Sequence, residues 1–194
     1  MTTPPGIRIA LWLWLVAALL AGRLQLLARL PMPAGPGILL GLTALLVLAY
    51  LGFTGFRAWA DALPLPSLVL LHVTRFVGLY FLWLYQRGEL PFAFAVPGGL
   101  GDILVAALAL GVAFAPMAPT TRRRALAIWN VVGLIDILMV VLTAARLGMA
   151  DPSGMRALTH LPLSLLPTFL VPLIIATHVL IFVRLRREQS DASL

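Results

Sequence analysis

Six residues that can ionise or hydrogen-bond through their side chains stand inside otherwise apolar stretches: His72, Arg75, Asp102, Asn130, Asp136 and His178. Such a residue is costly inside a bilayer, so it faces the bundle interior, pairs with another, or lines an ion or proton path. Two kinds of chemistry fit the set. Arg75 and Asp136 carry opposite charges and could neutralise each other across helices, with Asn130 as a hydrogen-bonding link. The same groups could line a polar site for an ion, a proton or a small polar ligand. The histidines add a third option. His72 and His178 could be the axial ligands of a b-type haem, with Arg75 or nearby arginines meeting the propionates. A zinc or copper site from His72, His178 and Asp136 is disfavoured, because their depths differ and no ligand-spacing motif joins them.

Depth follows from a rise of about 1.5 Å per helical residue. His72 lies about 8 Å from the start of its apolar stretch, His178 about 9 Å from Arg184 and Asn130 about 9 Å from Arg124. These three are expected in one layer, with Asp136 nearer the midplane. Arg75 follows His72 by three residues on nearly the same face. Gly133 falls between Asn130 and Asp136 on the helical wheel, where a small residue allows close helix approach.

Absences narrow the chemistry further. The chain has no Cys, which removes disulfides, thiol nucleophiles and iron–sulfur ligation. All 14 basic residues are Arg, so no lysine Schiff base can form. Neither a zinc-protease His–Glu motif nor a serine-hydrolase elbow is present. No catalytic residue is assigned, and an enzyme is not expected. His160 lies near an interface and is left out of the polar layer.

These residues need an apolar scaffold, and the composition supplies one. Of 194 residues 61% are hydrophobic and 11% charged, against about 25% charged in a soluble domain. The reading is an all-α membrane protein in a single domain with six transmembrane helices, over residues 7–30, 38–56, 67–85, 92–114, 124–145 and 161–183. The N-terminal apolar run lacks a small-residue cleavage pattern and is read as a retained first helix. Short turns rich in Pro and Gly join the spans. Placing both termini in the cytoplasm puts eight arginines on that side and five on the other, with Arg75 inside a span. That split favours both termini in the cytoplasm, and the protein is read as a bacterial inner-membrane one. The net charge of +7 then reports membrane orientation rather than nucleic-acid binding. The lipid bilayer is the one obligatory partner, and an oligomer or larger complex is compatible. Trp59 and Trp129 are expected in one interfacial belt, and Tyr80, Trp83 and Tyr85 in the other.

Two stretches depart from regular helix. Pro97, Gly98, Gly99 and Gly101 precede Asp102, a composition that disfavours helix. The fourth helix is therefore expected to be broken at its non-cytoplasmic end, with Asp102 capping the resumed helix. Pro167 and Pro172 should free carbonyls near Leu163 and Thr168, as acceptors for a cation or for Ser164 and Thr168. A Leu-Pro pair followed by a further Pro recurs at Leu30, Leu90 and Leu161, which suggests a three-hairpin repeat.

The strings RFVGLYFL (75–82), ELPFAFAVPGGLGD (89–102), WNVVGLID (129–136) and PLSLLP (162–167) resemble those of small uncharacterised multi-pass proteins of bacterial genomes. The resemblance covers about the last two-thirds of the chain and implies no activity.

Overall fold

The computed structural model describes residues 3–31 and 34–191. It is helical throughout, with no strand among the described residues. Six helices are long and apolar enough to cross a membrane. The α-helices are α1 (Pro5–Arg23), α2 (Ala34–Gly52), α3 (Thr54–Ala62), α4 (Leu65–Leu70), α5 (Gly78–Gln86), α6 (Phe92–Phe114), α7 (Pro119–Ala150) and α8 (Val171–Asp191).

Two of the six crossings are composite. The third, Leu65–Gln86, consists of α4, a 3₁₀ segment Leu71–Val77 and α5. The sixth, Leu166–Arg187, opens with a π-helical turn Leu166–Leu170 that runs into α8. Runs of 3₁₀ helix longer than three or four residues are uncommon, and π turns concentrate at functional positions. The 3₁₀ form has a direct consequence. It has three residues per turn, so residues three apart eclipse one another. His72, Arg75 and Gly78 therefore stand in one row, and all three are buried.

The expected boundaries hold for the fourth crossing, which is α6 from Phe92 to Phe114. The first helix is shorter than expected. It stops at Arg23, Gln25 adopts a positive φ of 54°, and a 3₁₀ turn Leu27–Arg29 follows. The fifth is longer: Pro119 opens α7, whose 32 residues span about 48 Å. That length carries Arg122, Arg123 and Arg124 past the hydrocarbon core, which is about 30 Å thick.

The fourth helix is not broken. α6 runs continuously through Pro97. Its glycines serve contact instead of unwinding. Gly99 packs against the carbonyl of Gly78, and a Cβ there would lie 2.8 Å from that oxygen. Backbone-to-backbone contact offsets the weak helix propensity of the run. Asp102 is consequently a mid-helix residue and not a cap. The three Leu-Pro sites also diverge in structure. Pro36 lies in the first turn of α2, Pro97 inside α6 and Pro167 in the π turn.

Packing is uneven. α6 is the central element, against α5 and the 3₁₀ segment on one side and α7 on the other. Its most apolar window is 44% buried, whereas those of α1 and α2 are 11% and 6% buried. The first two crossings thus stand at the edge of a four-crossing core. α1 is tied to the sixth crossing and to the chain just before it. Gly22 meets Leu161 and Ser164 without room for a side chain. Trp14 donates its indole N–H to the carbonyl of Thr168 at 2.8 Å, the acceptor that Pro172 releases.

Candidate functional site: a buried arginine with two carboxylates beside a histidine pair

The row on the 3₁₀ segment faces α6, α7 and α8. Arg75 is 1% exposed and uses all three nitrogens. Its Nε donates to Asp102 Oδ1 of α6 at 2.7 Å. Its Nη1 donates to the carbonyl of Gly133 on α7 at 2.9 Å. Its Nη2 donates to Asp136 Oδ2, also on α7. One cation thereby joins three crossings, and the expected pairing of Arg75 with Asp136 is present. The second carboxylate was not expected in this pair. Asp102 was placed at a broken helix end, and a continuous α6 carries it into the core.

The two carboxylates differ. The Asp102 side chain is 4% exposed and that of Asp136 is 21% exposed. Asp136 is the open edge of the cluster. Three glycines make room for the arrangement. A Cβ on Gly101 would overlap the Asp136 carboxylate, one on Gly78 would strike Gly99 and Asp102, and one on Gly133 would lie 2.7 Å from His178 Cε1. Beside Arg75 and Asp102 is a cavity of about 20 Å³, otherwise walled mainly by apolar side chains. That is room for about one water molecule.

One turn away lies the histidine layer. His72 and His178 are fully buried, and their ring centroids are 4.2 Å apart. His178 and Asn130 form a reciprocal pair. The Asn130 Nδ2 donates to the His178 carbonyl at 3.1 Å, and Asn130 Oδ1 lies 2.8 Å from His178 Nδ1. An amide oxygen can only accept, so Nδ1 carries the proton. Thr177 directs its hydroxyl hydrogen to the carbonyls of Leu173 and Ile174. It is then the acceptor for His72 Nε2 at 3.2 Å. His72 Nδ1 and His178 Nε2 remain buried without a partner among the described residues.

Trp129 closes this layer. It was expected in an interfacial belt, yet it is 3% exposed. Its indole N–H is satisfied by the Val105 carbonyl at 3.0 Å, and its ring meets His72 edge-on at 4.9 Å. A buried tryptophan is stable here because its one polar atom has an acceptor.

The histidines do not fit the haem expectation. Axial ligands stand on opposite faces of a porphyrin, whereas these rings touch each other and leave no gap for a macrocycle. Nor does any group of three or more His, Asp or Glu residues suit a metal ion among the described residues. The acceptors freed by proline are also occupied. Trp14 takes the Thr168 carbonyl, and Leu166 N–H takes that of Leu163 at 3.0 Å.

All six residues singled out in the sequence meet in this one region. The family assignment covers it entirely, since the domain of unknown function DUF8737 matches residues 33–186. The chain belongs to this DUF8737 family. The matched range contains α2 to α7 and most of α8, while α1 precedes it. No curated protein and no solved structure matches the chain.

Sequence reasoning missed the partners more than the principals. Thr177 looked like an ordinary span residue and Trp129 like an interfacial one, although both face the histidines. Gly78 was detectable, since it continues the three-residue spacing of His72 and Arg75. Gly99 and Gly101 were noticed but read as helix breakers.

Proposed function

We propose that the protein is a transporter- or sensor-like membrane protein whose Arg75–Asp102–Asp136 cluster takes up one proton or one monovalent cation. The observation behind this is a charge count. One guanidinium is matched by two carboxylates inside a membrane-spanning bundle. With both ionised, the cluster holds one unbalanced negative charge where an isolated charge is strongly disfavoured. A single proton or cation restores neutrality. An anionic ligand is excluded by the same count. The other ionisable groups facing the cluster are His72 on the same crossing and His178 on α8, each with one ring nitrogen partnered and the other without a partner among the described residues. Asp136, the exposed edge, is the group that meets the incoming ion. The setting we propose is a bacterial inner membrane with both termini cytoplasmic, an orientation supported by the eight-to-five arginine split.

A ligand that binds only the folded protein raises its melting temperature. The test is the thermal midpoint of the protein in lipid nanodiscs, across alkali cations and across mildly acidic to neutral pH. Wild type should respond to one of these variables. Asp136→Asn keeps an acceptor for Arg75 Nη2 but removes the surplus charge. It should fold with a similar midpoint and lose the response. Equal responses in both proteins would overturn the reading.

A second reading is a structural or accessory subunit. It draws on α1 and α2, which expose most of their apolar surface. It is distinguished by stable co-purification with a larger partner and by polar residues that affect only folding.

A further inference from the structure

On the side away from Arg122, Arg123, Arg124 and Arg187, the bundle contains a second and larger cavity. It measures about 120 Å³ and opens outward. Its walls come from the start of α2, the last third of α7, the π turn and the two 3₁₀ turns Leu27–Arg29 and Arg156–Thr159. The lining is apolar almost throughout, with Leu30, Leu39, Ala144, Met155 and Leu158 among its members. Its inner end is formed by Phe81, Val140, Leu166 and Val171. The same four side chains wall the small cavity at Arg75 and Asp102.

The charges near the mouth are one-sided. The two 3₁₀ turns touch each other, and each carries an exposed arginine, Arg29 and Arg156. Neither has a carboxylate partner among the described residues, whereas the acidic groups on this side are engaged. Glu89 pairs with Arg87 at 2.6 Å. Asp151 accepts from the Ser153 hydroxyl and from the backbone N–H groups of Ser153 and Gly154. The turns follow the end of α1 and the end of α7, at the level where a crossing gives way to connecting chain. That is the level of lipid headgroups.

We propose that this slot is a binding site for one anionic phospholipid. One acyl chain fills the apolar slot, and the phosphate meets Arg29 and Arg156. The slot supplies the apolar contact, and the arginines supply the preference for negative charge. The bound chain would end one layer of side chains from the Arg75 cluster, so this site sits beside the ion site without depending on it.

The test is native mass spectrometry of the whole protein released from nanodiscs of phosphatidylcholine doped with phosphatidylglycerol. The expected result is one retained phosphatidylglycerol per chain, enriched at least tenfold over its share of the bilayer. Arg29→Gln with Arg156→Gln should abolish the enrichment while leaving a retained lipid of either kind. Ala144→Trp, which fills the slot, should abolish retention. Ala145→Leu, a smaller filling of the same wall, replaces it if the tryptophan variant does not fold. Undiminished enrichment in the double arginine variant would overturn the proposal. So would retention equal to wild type in the filled slot, or a lipid-free dimer closed across the slot. Oleate displacing phosphatidylglycerol at equal concentration would also overturn it, because the site would then recognise a free carboxylate rather than a phospholipid.

Discussion

Two arginines in this protein each collect partners from other helices, one in a buried cluster short of positive charge and one in an exposed cluster that is not. Arg75 is buried and serves two carboxylates and a carbonyl. Arg187, at the far end of α8, is 54% exposed. It donates to Asp61 Oδ2 at 2.8 Å and to the Tyr50 hydroxyl at 3.3 Å, while Tyr50 donates to Asp61 Oδ1 at 2.7 Å. Arg184 adds a bond to the Leu63 carbonyl. That second cluster pins the amphipathic α3 to α8, and its charges are balanced or in basic excess. Water can reach it, so its geometry costs little and contributes little. The Arg75 cluster is largely buried, short of positive charge and built around glycines that admit no side chain.

The largest expected effect is from removing Arg75. Breaking a buried pair by deleting one partner costs about 3–5 kcal/mol, and here it strands two carboxylates. Arg75→Ala should therefore unfold at much lower temperature or denaturant than wild type. Arg187→Ala, the same change in the wet cluster, should remain close to wild type. Similar losses in the two variants would break the contrast.

An intermediate effect is expected at the glycines. Gly101→Ala places a methyl group on the Asp136 carboxylate. Overpacking of this kind costs about 1–3 kcal/mol, and it should also disturb the ion response of the thermal midpoint. Gly111→Ala on the same helix meets open space and should be neutral or slightly stabilising. Equal behaviour of the two alanines would remove the argument from close approach.

The smallest effect is expected at Asp61. Burial works against its ionisation, but hydrogen bonds from Tyr50 and Arg187 and the charges of Arg187 and Arg184 outweigh it. Its carboxyl is held below the ordinary value of 3.8. A depressed folded value means that the clamp stabilises fully above the ordinary range and is lost as pH falls through the folded value. Asp61→Asn should lower the thermal midpoint slightly at neutral pH. The difference from wild type should shrink as pH drops below 3.8. A difference that persists in acid would show that Asp61 acts through packing and not through charge.

The architecture was legible because the bilayer imposes it. Length and apolarity place six crossings, and the boundaries of α6 follow from Pro91 and the turn after Phe114. The principal polar residues were legible for the same reason, since any ionisable group in a span must find a partner. Their partnerships were less so. The second carboxylate was hidden because Pro97, Gly98, Gly99 and Gly101 read locally as a break. The helix survives there only through contact with Gly78, which is a tertiary fact. The 3₁₀ form of Leu71–Val77 left no local mark, yet it brings Arg75 and His72 into line. The rule for belts places Trp129 at an interface, but it is buried, because Val105 offers an acceptor inside the bundle. The haem expectation failed on distance, since depth along two helices says nothing about how closely they meet.

The claim at the centre of this account is that the two carboxylates on Arg75 do not both remain bare anions in the membrane. Infrared difference spectroscopy of the protein in nanodiscs reads this directly, through the carbonyl stretch of a protonated carboxyl group. In buffer free of small inorganic cations near neutral pH, wild type should show one such group, and both Asp102→Asn and Asp136→Asn should lack it. Absence of the band from wild type under those conditions would mean that both carboxylates stay ionised beside a single arginine, and would contradict the account.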